Sequence, residues 1–150
     1  MTTYLGSKMA TAGIQPKFLP AGDLAVFSQY SVAAALAAGD TIEMMQIPGA
    51  AAESGAFVTG VTLDVDKLDS GATPAILLGV GDTANAQRFI KTTNIGQAGG
   101  YAIPNQNGSL GFNYTQLATV TVTCETAAQT AITGTGGPYI RLLMNYSFDP

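Results

Sequence analysis

Apolar and polar residues alternate along much of this chain, in short runs separated by turn residues. A period of two places one set of side chains on one face of a β-strand and the other set on the opposite face. Residues 23–31 carry Leu24, Val26 and Tyr30 in alternation, with Val32 next in phase, and residues 41–47 form a second run ended by Pro48 and Gly49. Residues 57–65 give the clearest signal, with Phe57, Thr59, Val61, Leu63 and Val65 on one face and Val58, Thr62 and Asp64 on the other. Residues 74–80 are almost continuously apolar, as expected of a strand covered on both sides. In residues 117–124, Val120, Val122 and Cys124 oppose Thr119, Thr121 and Thr123. In the last run, Ile140, Leu142, Met144, Tyr146 and Phe148 share a face.

Turn chemistry divides these runs. Gly39-Asp40, Asp69-Ser70-Gly71, Asn107-Gly108 and the stretch 134–138 punctuate the chain, and Asn-Gly favours a tight turn with positive φ. Asp82 is placed to cap one short helical turn through Arg88. Residues 31–38 have the composition of a helix but continue a strand pattern into the Gly39-Asp40 turn, and they are read as strand. The prediction is an all-β chain: a single-domain β-sandwich, jelly-roll-like, with about eight short antiparallel strands over residues 23–150. Residues 1–22, with Gly6, Gly13, Pro16, Pro20 and Gly22, form an N-terminal arm or extended lead-in that either docks on a partner or remains a plain terminus.

Composition narrows the function. The chain has 150 residues, one domain's worth, and is 47% hydrophobic, so a core can form without metal or disulfide. It has no apolar run of membrane-spanning length and no secretory leader pattern, which predicts a soluble chain made in a cytoplasm, without a membrane partner. Net charge is −4, and the six basic residues do not cluster, which argues against nucleic-acid binding. Histidine is absent and cysteine occurs once, so a Ser-His-Asp or Cys-His arrangement cannot be assembled within one chain. No enzyme activity and no cofactor is expected.

The remaining motifs have plain structural readings. Gly79-Val80-Gly81-Asp82-Thr83-Ala84 fits a dinucleotide fingerprint loosely, but no second parallel strand with its helix follows Arg88 to complete a βαβ unit, and a tight turn is expected. Asp64, Asp66 and Asp69 crowd together without the order of an EF-hand, so a solvated acidic turn is expected ahead of a calcium site. Three glycosylation sequons begin at Asn107, Asn113 and Asn145 and carry little weight without a leader. Cys124 is expected to be a buried structural thiol. Tyr101, Phe112 and Tyr114 lie in or beside the glycine-rich loop region, where they either face a partner or fold inward to pin the loop. With Lys8, Lys17 and Phe18 of the arm they make up the candidate partner-binding set.

The block Ala35-Leu36-Ala37-Ala38-Gly39-Asp40-Thr41-Ile42, closing in Gln46-Ile47-Pro48-Gly49-Ala50, resembles the small structural proteins of tailed-bacteriophage virions. So do Val61 to Asp66, Leu78 to Asp82, Arg88-Phe89-Ile90, the Thr-rich strand Val120 to Thr123, and Tyr139 to Leu142. The likeness spans roughly residues 24–147 and is closest to capsid decoration, or cement, proteins. It implies a homotrimeric β-sandwich on the exterior of the expanded head, bridging major capsid protein subunits. Lys8 and Lys17 of the arm would then meet acidic patches on a neighbour. The same composition would suit another virion component, such as a head-fibre base or tail protein, or a carbohydrate-binding β-sandwich.

Overall fold

The computed structural model describes residues 1–5, 24–48, 55–106 and 108–148. The strands are β1 (Thr3–Leu5), β2 (Leu24–Ser31), β3 (Thr41–Ile47), β4 (Ala56–Val65), β5 (Leu77–Asp82), β6 (Ile90–Thr93), β7 (Gly100–Ala102), β8 (Asn113–Tyr114), β9 (Ala118–Thr126) and β10 (Tyr139–Phe148). A four-residue helix, α1 (Ile95–Ala98), stands between β6 and β7. No helix among the described residues is long and apolar enough to cross a membrane.

The strands form two sheets. The first has the order β1-β3-β9-β5-β6 and the second β2-β10-β4-β7, with β8 also pairing with β4. Setting aside β1 and β8, the chain passes between sheets at each step except the β5–β6 hairpin. Two four-stranded sheets, β2-β10-β4-β7 and β3-β9-β5-β6, wound in this manner make a jelly roll. Among the described residues all strand pairings are antiparallel except β1 on β3.

The core lies between the sheets. Ile140, Leu142, Met144 and Tyr146 face inward from β10, and Val120, Val122 and Cys124 from β9, all buried as their alternation requires. β5 is buried from Leu78 to Asp82, in keeping with its continuous apolar run. Cys124 is a free buried thiol, and burial, aided by the charges of Asp40 and Glu125, pushes its pKa up to about 11.

β4 departs from simple alternation. Tyr146 pairs with Val58 and Asn145 with Gly60, so Thr59 is an extra residue and a β-bulge. The bulge reverses the phase of the strand. Ala56 and Val58 point inward before it and Val61, Leu63 and Val65 after it. Phe57 and Thr59 therefore do not share the inner face with Val61. A second bulge between Glu43 and Met45 lets both Met44 and Met45 enter the core.

Residues 32–38 are neither helix nor strand, which corrects the strand expected there. β2 ends at Ser31, and the chain crosses from the second sheet to the first. Val32 N–H donates to Pro138 O at 2.9 Å, Gly39 N–H donates to Cys124 O at 2.7 Å, and Val32 and Leu36 are the buried anchors. Each tertiary anchor outweighs the helix propensity of the alanines around it. The segment after Asp82 is likewise a pair of turns, not a helical one. Asp82 Oδ1 accepts the backbone N–H of Ala84 at 2.9 Å and of Asn85 at 2.8 Å, and Arg88 N–H donates to Asn85 O at 3.2 Å. This turn folds over Gly81, where a Cβ would lie 2.0 Å from Asn85 O. The glycine pair 79 and 81 thus serves close backbone packing, not a phosphate loop.

Candidate partner-binding surface

The outer face of the second sheet carries rows of side chains fixed by strand register. Phe27 of β2 lies opposite Leu143 of β10, which lies opposite Thr62 of β4. The next row is Gln29, Arg141, Asp64 and Tyr101, running across β2, β10, β4 and β7. The row on the other side is Ala25, Asn145 and Gly60. Directly opposed residues of antiparallel strands share a face, and the neighbours Val26, Leu142, Met144, Val61 and Leu63 point the other way, into the sandwich.

Exposure follows from this placement. Phe27 is 48% exposed, Leu143 38%, Tyr101 74% and Ile103, just beyond β7, 62%. Leu110 and Leu117 are also exposed, in the loops flanking β8. Arg141 is shared by two carboxylates, Asp64 within these rows and Asp66 just beyond β4, so each charge has a partner while the group keeps a net negative charge. Arg141 donates from Nη1 to Asp64 Oδ2 at 3.1 Å and to Asp66 Oδ1 at 2.9 Å, and lies over the Tyr139 ring at 5.1 Å. The hydrogen bond from Arg141, with the Tyr139 N–H, holds the Asp66 carboxyl below its ordinary range. A sheet face of this kind offers apolar area to a partner around Phe27 and Leu143, beside a hydrogen-bonded group of net negative charge.

The three loop aromatics separate. Tyr114 folds inward: it is 7% exposed and donates from its hydroxyl to Asp82 Oδ2 at 2.6 Å. Burial, then the Asp82 charge, raises its pKa well above the ordinary phenol value. Phe112 is half-buried, edge-on to Tyr114 with ring centroids 4.9 Å apart and covered by the Arg88 guanidinium at 3.8 Å. Tyr101 alone of the three stands out from the surface. No joint aromatic platform exists, because the β8 pairing to Ala56 and Phe57 turns Tyr114 into the core. Lys8, Lys17 and Phe18 lie outside the described residues.

The acidic trio is not a solvated turn throughout. Asp69 is fully buried at the opposite end of the sandwich from Tyr114. Its carboxylate accepts backbone N–H groups from two loops: Gly71 at 2.9 Å, Ala75 at 2.7 Å, Gln129 at 2.8 Å and Thr130 at 3.0 Å. Desolvation pushes its pKa up, but these four donors outweigh it and hold the group well below the carboxylate range. Asp64 and Asp66 are taken by Arg141. Among the described residues no group of three or more His, Cys, Asp or Glu side chains is placed to hold a metal ion.

Sequence reasoning missed Phe27 and Leu143 as surface residues. Both are out of phase with the inward residues of their strands, and that phase is the signal that marks them.

No protein-family model matches this chain. No curated protein matches it in sequence. Solved structures similar to this chain include three bacteriophage capsid chains. A chain of the capsid of Ralstonia phage GP4 is 24% identical, with 97% of each chain covered and a TM-score of 0.81. A chain of the cyanophage Pam1 capsid asymmetric unit is 24% identical, with 94% of this chain and 99% of that one covered and a TM-score of 0.69. A chain of the acid-stable capsid of Helicobacter pylori bacteriophage KHP30 is 18% identical, covers 86% and 94%, and has a TM-score of 0.52. The jelly-roll sandwich built by this sequence is the fold it shares with those chains over nearly its whole length.

Proposed function

We propose that this chain is a structural protein of a tailed-bacteriophage virion, a decoration or cement protein. In this reading it sits as a homotrimer on the exterior of the expanded head and bridges neighbouring major capsid protein subunits. It would be made in the host bacterial cytoplasm and act by binding, not catalysis. The observation that carries the reading is the fold likeness to a phage capsid chain over 97% of both chains. The rows around Phe27, Leu143 and Tyr101 support it, since they offer exposed apolar area on a rigid sheet. The arm 1–22, with Lys8, Lys17 and Phe18, would extend that contact onto a neighbour.

The physics of the role is mass action. A protein that binds the assembled, expanded shell and not its dissociated subunits stabilises the shell, and many copies act together. The test is co-sedimentation of the purified chain with expanded heads assembled without it, beside its solution mass by light scattering. A mass three times the 15.3 kDa chain and saturable binding to heads are expected. Leu143→Glu should weaken head binding or trimer formation at least tenfold while leaving the circular dichroism unchanged. A monomer that ignores heads and labels the tail in the particle would overturn the reading and make the chain a tail component.

A further inference from the structure

β1 is the sole parallel strand among the described residues, and its seat is built by other parts of the chain. Thr41 N–H donates to Thr2 O at 2.9 Å, and Thr2 N–H donates to Asp40 Oδ1 at 2.7 Å. Thr3 Oγ1 and Thr41 Oγ1 lie 3.2 Å apart. Asp40 is 4% exposed, and its second carboxylate oxygen accepts Ala37 N–H at 3.0 Å. Its own carbonyl accepts Cys124 N–H at 2.9 Å. The seat is therefore held in position by the 37–40 turn and by β9, independently of the strand that occupies it.

The connection is far longer than a return within one chain requires. β1 runs parallel to β3, from Thr3 beside Thr41 to Leu5 beside Glu43, toward the end of the sandwich at which β2 begins. β2 lies across the sandwich from β3. With sheets about 10 Å apart and strands about 4.8 Å apart, the gap from Leu5 to Leu24 is on the order of 15 Å. Residues 6–23 join these points, and a segment of that length reaches at most roughly 60 Å when extended.

We propose that β1 is exchanged between copies, so that residues 1–5 of one chain occupy the β3 edge and the Asp40 carboxylate of a second copy of this chain. The same hydrogen bonds form in either arrangement, so local concentration decides between them. In a closed ring each copy gives one strand and receives one, which is a heterologous contact that terminates without leaving an open edge. The proposal goes beyond the capsid reading, because it concerns contacts between copies and stands or falls whether or not the chain binds a shell.

The test is disulfide trapping in a C124A background. One preparation carries T3C and another T41C; they are mixed in denaturant, refolded together and oxidised. A third preparation carries both substitutions. Strand exchange predicts covalent oligomers from the double variant on a non-reducing gel. It also predicts a linked peptide joining positions 3 and 41 in the mixture. A double variant that closes only within single chains, with no such peptide in the mixture, overturns the proposal. A chain lacking residues 1–5 gives a second readout without engineered cysteines. Its mass should fall to that of one chain with the sandwich signal retained, and an unchanged oligomer would also overturn it. An oligomer that persists with only intrachain linkage refutes exchange and leaves the capsid reading intact.

Discussion

Replacing Asp82 by alanine removes an acceptor shared by three parts of the fold. Asp82 ends β5 and is 4% exposed. Its carboxylate receives Arg88 Nε, Arg88 Nη2 at 3.4 Å, the Tyr114 hydroxyl at 2.6 Å, and the N–H groups of Ala84 and Asn85. Through Tyr114 it links the first sheet to the β8 loop of the second, and through Arg88 it holds Phe112. Breaking a buried pair costs about 3–5 kcal/mol, because the surviving charge is left unpaired. The Arg88 side chain is 20% exposed and recovers some solvent, so a value near the lower end, about 3 kcal/mol, is expected from the pair. The stranded Tyr114 hydroxyl adds about 1–2 kcal/mol. The expected total of about 4–5 kcal/mol is a large share of the stability of an ordinary domain, about 5–15 kcal/mol.

The assay is urea unfolding at fixed protomer concentration, since association would otherwise shift the midpoint. Tyr114→Phe should cost about 1.5–3 kcal/mol alone, because it removes one hydrogen bond from a charged acceptor. In the Asp82→Ala background the same change should cost nothing further or recover part of the loss, since the hydroxyl has already lost its partner. The coupling between the two should thus be at least about 1.5–3 kcal/mol. Strictly additive losses would refute the argument, because they would mean that the Tyr114 hydroxyl is stabilised by something other than Asp82.

Acid should weaken the fold in a defined window. Asp66, Asp69 and Asp82 have folded pKa values below the ordinary carboxylate value, so the stability they contribute is present above an unfolded pKa of about 3.9 and is lost as pH falls through the folded values. Urea midpoints should be flat from pH 7 to about 5 and fall below about 4, whereas a rise on acidification would contradict these shifts. Gly81→Ala should destabilise by about 3 kcal/mol, because its Cβ would strike the Asn85 carbonyl; Gly39→Ala, with positive φ but open space around it, should cost only about 1 kcal/mol. Cys124 should resist a thiol reagent at pH 8 in the native chain and react fully in denaturant, and equal rates in the two states would mean that the strand end at β9 is open.

What the sequence made legible was periodicity. β9 and β10 keep strict alternation over their central residues, so their inward faces could be read directly, and the jelly-roll class followed from strand count and turn spacing. The phase reversal in β4 was not legible, because a bulge adds one residue without changing composition; Gly60 was its only mark. β8 was missed because two residues cannot display a period, and with it went the direction of Tyr114. Asp69 illustrates a different limit. Its Asp-Ser-Gly context announces a turn, but its donors are all backbone N–H groups, and two of them, Gln129 and Thr130, are far along the chain. No side-chain pattern records them.

Asp69 and Asp82 bracket β5, one ahead of it and one at its end, and each ties loops that would otherwise splay from the sandwich. Arg88 and Arg141 are spent on Asp82 and on the pair Asp64 and Asp66. Arg88 and Arg141 therefore tie the chain's own segments, and what the second sheet turns outward is a mixed face in which Phe27, Leu143 and Tyr101 stand among polar residues. Such a surface suits many modest contacts. If each copy binds a shell site at a free concentration one hundred times its dissociation constant, it contributes about 2.7 kcal/mol to that site. On the proposed homotrimer, three engaged sites would add avidity without any new contact, provided the spacing of the subunits matches that of the sites. Tight individual anchoring is then unnecessary for a cement role. What the two buried aspartates supply to such a role is loops held to the sandwich, so that the surface offered to each site is the same in every copy.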